Sequence, residues 1–578
     1  MTYLAILPIA LLGICGRGRG RLFLITWLIS SLEYLWIQRW MSGVTAVGWP
    51  ILCMYLGLYP ALFVYFLNRF RISFENSEHE SPLVRLLQRI PNVILVPILW
   101  TGLEFFRGEI FMDGYPWFLI AHPTIALLPF CQSADLFGTY FLSFITATVA
   151  GFLADAIALF VHPRRPWLHE IRLSAVLFLI INIANLAYGF ARLNQSPAVD
   201  SANARTVTVA AIQTNVPQDN KLSWNNQQQY LDFQELLRLT KLALDQAVAD
   251  GKKIDLIVWP ETMAPGVVFT NQAADAVRKF ETKTGYTSTA IAGMSGLYYD
   301  ETLAELARRS KTPILVGATV LDGLSIAVEY EKDPDGERQA WIRWNYEHHY
   351  NSAVLYAADG TRSPTRYDKM RLTPFGEVMP YIHNWPWLQD KLLSIGAGGM
   401  KFDLATGKHF TRFSIPLSAA DNRTHDVIVA TPICFESTVA SICRKLVIPD
   451  RTDSTTSAQP SDILINMTND GWFGGFPGGR LQHLQIGRFR CIENRVPMIR
   501  AANTGVSASI ASSGRLAQTG PNVPANAKPA WEAGAMLVTT TLDGRATLFQ
   551  AVGLVFGWAV FALTALLTVL SFSRLNRS

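Results

Sequence analysis

The chain has 578 residues and a formal net charge of +5, with half of its residues hydrophobic and only 16% charged. That length suits two or more domains, and so low a charge content is unusual for a soluble protein. The modest charge, the lack of a long Lys/Arg run and six singly spaced cysteines exclude the patterns of a nucleic-acid binder, a zinc module and a disulfide scaffold. Cys15, Cys53 and Cys131 lie in apolar stretches and read as small buried hydrophobes.

The apolar excess sits in the first 191 residues and the last 30. Residues 2–15 form a short apolar run with no basic residue before it and no small-residue cleavage site after it, so it is the weakest of six spans expected before residue 192. Residues 22–38 (broken by Glu33), 46–67, 91–106 (broken by Glu104), 136–154 and 173–190 are the others, and residues 551–571 give one more. About 20 apolar residues suffice for a helix to cross a hydrocarbon core of about 30 Å. Glu104 and Arg107, three apart near a helix end, could pair on one face at the outer interface or simply anchor the helix.

Loop charge predicts orientation. Arg164 and Arg165 precede one span and Arg574 and Arg577 follow another, and short Lys/Arg-bearing loops stay cytoplasmic. Both observations place residues 192–549 outside. The loops holding Arg17, Arg19 and Arg21, and then Arg69, Arg71, Arg85 and Arg89, fall inside on the same count.

The middle of the chain reads as a water-exposed α/β domain. Short β-type runs recur at 206–212 (TVTVAAI), 254–258, 313–316, 427–433 (VIVATPI), 462–467 and 536–541. Polar stretches with helical spacing, such as 227–248, lie between some of them, which argues for layered α/β architecture. Residues 333–343 read as a solvated charged insertion and 450–461 as a loop. No internal repeat is evident.

Two of the β-type runs and one loop carry chemistry. Cys434 follows 427–433, Glu261 follows the run ending in Trp259, and Lys369 lies in the loop YDKMRLTPFGE. A thiol becomes a good nucleophile as the thiolate, so it needs a base or a positive neighbour. Glu261 could take its proton and Lys369 could stabilise a developing oxyanion. Each residue alone is weak evidence, since a Glu or Lys after a strand usually meets solvent and a Cys there is usually packing. Their joint occurrence in strand-plus-turn contexts points to a Glu–Lys–Cys acyl-transfer centre.

The order of WPE, DKMRLTPFGE, PICFE and NMTNDGWFG resembles the nitrilase or carbon–nitrogen hydrolase superfamily, and more closely the apolipoprotein N-acyltransferase family within it. LWTGLEFFRG and GYPW at 99–117, AIQTNVPQ at 211–218 and LQHLQIGRFRCIENRVPMIRAANTG extend the likeness over nearly the whole chain. The resemblance implies a multi-pass α-helical membrane domain (1–191), an α/β nitrilase-like αββα sandwich (192–549) and a C-terminal membrane helix with a cytoplasmic tail (550–578). It implies Glu261 as general base, Lys369 as oxyanion stabiliser and Cys434 as nucleophile. Glu377 and Glu436 would support the site, and Trp224, Asn469 and Trp472 would meet substrate, with Asp470 beside them. No cofactor and no metal is expected. The partners implied are a membrane phospholipid as acyl donor and a lipoprotein with an S-diacylglyceryl N-terminal cysteine as acceptor, acylated through a Cys434 thioester on the outer side of the bacterial inner membrane. Two features depart from the family pattern: Phe435 stands where a tyrosine is usual, and six spans rather than seven precede the domain. The alternatives are a membrane-tethered amidase or nitrilase and a catalytically silent lipid-binding scaffold.

Overall fold

The computed structural model describes residues 4–43, 46–75, 87, 89–161, 165–195, 205–217, 224–288, 294–332, 338–374, 376–378, 387, 404–418, 424–449, 459–474, 476–521, 523–524 and 533–575. Helices form at all seven apolar runs: Leu7–Cys15, Arg19–Ile37, Gly48–Glu75, Asn92–Phe105, Thr139–Val161, Arg165–Asn194 and Val555–Leu575. Four of them contain segments long and apolar enough to cross a membrane, Gly48–Arg71, Thr139–Ile157, Ile171–Asn194 and Val555–Phe572. The first helix is only nine residues, or about 14 Å, and docks on the third, where Asn68 Nδ2 donates to the carbonyls of Gly13 (3.1 Å) and Gly16 (2.9 Å). The run at 136–154 does not start one helix. Gly138 takes φ +80 and closes the short helix Ala134–Phe137 before Thr139–Val161 begins.

Glu104 and Arg107 are both buried, and each braces one loop. Glu104 Oε1 accepts from Ile120 N at 2.7 Å, while Arg107 Nη2 donates to the carbonyls of Trp117 (2.8 Å) and Phe118 (3.2 Å). The carboxyl-terminal helix joins the same bundle, with Thr564 Oγ1 donating to Ile98 O at 2.8 Å.

The α/β region is built on β1 (Thr206–Gln213), β2 (Leu256–Val258), β3 (Ile314–Asp322), β4 (Ser325–Lys332) and β5 (Arg338–Asn345). It continues with β6 (His348–Tyr356), β7 (Tyr367–Asp368), β8 (Arg412–Ser418), β9 (Thr424–Ala430) and β10 (Ile463–Thr468). The last strands are β11 (Met498–Ala502), β12 (Ala508–Ile510), β13 (Leu516–Thr519), β14 (Val523–Pro524) and β15 (Gly534–Thr541). One sheet has the order β14-β15-β1-β2-β3-β6-β7 and the other β13-β12-β11-β10-β9-β8. Val209, Val258 and Leu315 of the first sheet share a core with Val429, Ile465 and Ile499 of the second. Ala210, Ile257 and Val316 face the helices Asn226–Ala249 and Tyr298–Ser310. Strands covered on both sides need apolar residues on both, which is why these runs are nearly continuous rather than alternating.

The helices Ala440–Val447 and Pro477–Asn494 back the second sheet and complete an αββα sandwich. Pro477–Asn494 also meets the membrane-type helices. Glu493 Oε1 accepts from Thr139 N (2.9 Å) and Oγ1 (2.7 Å), and just beyond the helix Arg495 lies 2.7 Å from Asp135. The chain enters and leaves the sandwich on neighbouring strands, since β1 and β15 pair antiparallel with Thr206 opposite Thr541.

Several elements differ from the sequence expectation. The run at 427–433 is strand only to Ala430, and residues 431–433 lead into the Cys434 turn. Part of the charged stretch 333–343 is not an irregular insertion. From Arg338 it is β5, which pairs with β4 in a separate two-stranded ribbon, and 333–337 lie outside the described residues. Residues 450–458 of the expected loop also lie outside them.

Candidate active site

Glu261 stands just past β2, on a chain turned by Pro260 and by Thr262 at φ +50. The turn fits because β3 offers a glycine there: a Cβ on Gly317 would come within 2.3 Å of Pro260 O and 2.7 Å of Glu261 Cα. Glu261 is buried and anchored at both oxygens. Asn351 Nδ2 donates to Oε1 at 2.8 Å and Asn469 N to Oε2 at 2.9 Å.

Lys369 follows β7, and its backbone N–H donates to Asn351 O at 2.9 Å. Its Nζ lies 3.3 Å from Glu261 Oε1 and 2.8 Å from a Glu377 carboxylate oxygen. Burial alone would lower its pKa, but the Glu377 and Glu261 carboxylates outweigh burial and hold the ammonium above its ordinary range. Burial likewise pushes the Glu377 carboxyl up. The Lys369 charge and hydrogen bonds from Thr373 N (2.7 Å) and Oγ1 (2.8 Å) reverse that push, so it stays ionised.

Cys434 opens a tight turn, Cys434–Thr438, with its own backbone left-handed at φ +50. Its carbonyl is fixed by Ser437 Oγ (2.9 Å), His483 Nε2 (3.1 Å) and Asn466 Nδ2 (3.4 Å). The residue keeps some exposure to solvent, yet burial of the thiol and the nearby Glu261 charge push its pKa up, against Lys369 and a hydrogen bond with Thr468. The resting group is therefore a thiol that needs a base to ionise it.

Glu436 locks this turn to the lysine loop. Its Oε1 accepts from Tyr367 Oη (2.8 Å), Met370 N (2.7 Å) and Arg371 N (2.9 Å), and its Oε2 from Ile433 N (2.7 Å). Burial pushes its carboxyl up to about 7 against those four hydrogen bonds.

Asn469 is brought to the site through its backbone N–H, while its side-chain Oδ1 accepts from Gly471 N (3.1 Å) and Asn503 Nδ2 (3.1 Å). Trp472 is half-buried in the next turn, Asp470–Phe473. Trp224 donates to Asp232 Oδ2 at 2.6 Å by the start of Asn226–Ala249. Asp470 is fully buried and paired with Arg500 at 2.7 Å, with His483 Nδ1 3.1 Å away. Burial would raise its pKa, but the Arg500 guanidinium holds it down to about 2. Burial and Arg500 lower the His483 pKa, so the ring is neutral, donating through Nε2 to Cys434 O and accepting from Arg500 Nη2 at Nδ1 (2.9 Å).

Asn351, Asn466, His483, Arg500 and Tyr367 carried no role in the sequence reading. The segments holding Arg500 and His483, VPMIRAANTG and LQHLQ, stood out there, but no single residue in them did. Phe435 is buried in an aromatic cluster with Trp40, Trp117 and Phe473, which come from loops of the helical region and from the Asp470 turn. The Cys434 turn is thus packed against the helical region itself.

Residues 1–152 match the apolipoprotein N-acyltransferase N-terminal domain, and residues 208–547 match the carbon–nitrogen hydrolase domain. The apolipoprotein N-acyltransferase of Geobacter metallireducens is 29% identical over 586 residues, spanning 99% of this chain and 91% of that protein. That of Chlorobaculum tepidum is 26% identical over 560 residues, spanning 95% and 88%. A crystal structure of a carbon–nitrogen hydrolase from Helicobacter pylori G27 is similar at a TM-score of 0.31 and 12% identity, covering 62% of this chain and 93% of that chain. With more than half of its length matched by that one domain, the chain belongs to the carbon–nitrogen hydrolase family, and it carries the apolipoprotein N-acyltransferase N-terminal domain ahead of it.

Proposed function

We propose that this enzyme transfers an acyl chain from a membrane phospholipid to the α-amino group of a lipoprotein's S-diacylglyceryl N-terminal cysteine, as the names of its relatives suggest. The observation that carries this reading is the seating of the Cys434 turn against loops of the apolar helices, through Phe435, Trp40 and Trp117. A hydrolase of soluble amides has no use for a nucleophile held at a membrane bundle. We assign residues 1–191 and 550–578 to the membrane and 192–549 to a catalytic domain on its outer face, following the Lys/Arg loop pattern.

In the first half-reaction Glu261 takes the Cys434 proton and the sulfur attacks an ester carbonyl carbon of the phospholipid. A C–S bond forms, the C–O bond to glycerol breaks, and Glu261 returns the proton to the departing lysophospholipid oxygen. Lys369, held cationic by Glu377, stabilises the oxyanion of the tetrahedral intermediate. In the second half-reaction the acceptor amine attacks the thioester and gives its proton to Glu261. The C–S bond breaks, and Glu261 reprotonates the sulfur. Glu436 positions the nucleophile turn relative to Lys369, and the thioester conserves the acyl group's activation between the two steps.

The test uses membrane-embedded protein and phospholipid with a labelled acyl chain. Hydroxylamine-sensitive label on Cys434, lost in Cys434→Ala and passed to the amine of an added diacylglyceryl lipopeptide, is the expected outcome. Label appearing only as free fatty acid would make the protein a hydrolase instead.

A further inference from the structure

Strand β3 does not end at the site. It passes Glu261 at Gly317, runs on to Asp322, and after Gly323 (φ +67) the chain continues as β4. The β3–β6 pair closes at Asp322 opposite His348, and β4 and β5 take over from Ser325 opposite Asn345. The ribbon therefore extends outward from the same end of the sheet at which Glu261, Lys369 and Cys434 meet. From Gly317 to Leu324 the chain spans at most about 23 Å, shortened by the bend at Gly323.

Between β4 and the helix Asn271–Thr284 lies a groove of about 710 Å³, within the range of about 300–1,000 Å³ usual for ligand clefts. The helix contributes one face, with Ala276 and Phe280 on the floor and Lys279 and Lys283 a turn apart on the rim. The opposite wall is residues 324–328, all five in succession. Successive strand residues point to opposite sides, so an unbroken run lines a groove only when the strand turns its edge toward it. β4 pairs with β5 alone, and residues 324–328 make no further backbone hydrogen bond among the described residues. An apolar floor by itself would suit a lipid chain; an open strand edge selects another main chain, which can add to it as a strand. The charge agrees. Asp275 lies 3.5 Å from Arg278, which among the described residues leaves the two lysines as the unbalanced charge on the rim.

We propose that this groove binds the acceptor polypeptide in extended form, by main-chain pairing with the free edge of β4 and with the lysines favouring acidic side chains. The inference rests on the acyl-transfer reading, in which the acceptor's amino-terminal cysteine occupies the site. About seven extended residues then bridge to the groove, and the next four or five lie along residues 324–328. Backbone pairing reads no side chains, so one groove serves many acceptor sequences.

Two lipopeptides with the same lipid and the same first residues test this on the full-length protein in membranes. One stops at about four residues, which span at most about 14 Å, and the other continues with acidic residues to about fourteen. The longer acceptor is expected to show a KM about tenfold lower with kcat unchanged. N-methylation of alternate amides from about residue seven onward, in two phases, should return KM to the short-peptide value in one phase only. The pair of changes Lys279→Glu and Lys283→Glu should raise KM for the long peptide and leave the short one alone. Equal KM values for the two lengths, or indifference to both N-methyl phases, would overturn the docking while acyl transfer stands. Failure of both lipopeptides to accept an acyl group would overturn the acyl-transfer reading and this proposal with it.

Discussion

A non-glycine residue on a left-handed backbone costs roughly 1–2 kcal/mol, and Cys434 is held there by three donors on its carbonyl. The strain points the thiol out of the turn toward Glu261 and Lys369, and the network behind it keeps it there. Glu436→Gln tests the front of that arrangement. A carboxamide turns an N–H₂ toward backbone N–H groups that now meet an acceptor, so acyl transfer should fall about 100-fold while the folded protein still reaches the membrane. Asp470→Asn tests the back. The Asp470 carboxyl is held at about 2, below its ordinary 3.8, so its contribution is complete above the ordinary value and is lost as pH falls through the folded one. Melting curves of wild type and Asp470→Asn in detergent should differ by an amount of the order of 2 kcal/mol above pH about 5 and converge between about 4 and 2. Glu261 and Cys434 stood out in the sequence because each follows a β-type run, and Lys369 because its loop lies between them in a fixed order. His483 and Arg500 did not, because a histidine within LQHLQ or an arginine within a strand looks the same in sequence whether it braces a nucleophile or fills a core.

Strands announced themselves where both faces are covered. β1, β2, β10 and β15 lie under near-continuous apolar runs, whereas β6 begins with polar residues (HHYNS) and β5 carries Arg338, Gln339 and Arg343, which disguise a ribbon as a loop. The β3 expectation stopped at Val316, yet the strand runs to Asp322, and that overhang carries the ribbon. Gly317, at its midpoint, is where the strand approaches the Pro260–Glu261 bend. Gly317→Ala should push the bend away from Lys369 and lower acyl transfer by about 100-fold, with the lysine–Glu377 pair and the overall fold retained. Unchanged activity in that variant would mean that Glu261 does not need its present seat.

Across the whole molecule, apolar run length was enough to find the seven helices named above, though not the short Leu128–Cys131 and Ala134–Phe137, and the β-type runs were enough for the class of the α/β region. What composition did not reveal is how the two meet. Glu493, Arg495, Asp135 and Thr139 form buried polar contacts between segments more than 350 positions apart in the chain, and no local pattern marks them. Sidedness is read from loop charge alone, and it has a direct check. In a Cys15→Ala, Cys434→Ala background, Lys253→Cys should react with a membrane-impermeant maleimide in intact spheroplasts, and Arg17→Cys only after the membrane is opened. Both positions are exposed, so the opposite pattern would invert the orientation.

The antiparallel neighbours β1 and β15 are the first and last strands of the sandwich, so its two ends leave at one point of one sheet. A domain with adjoining ends can be spliced between two consecutive membrane crossings without stretching either, much as a cassette fits a slot. The same geometry makes a soluble version practicable: a short Gly/Ser bridge in place of the helices should join the ends, or new ends could be opened at an exposed loop.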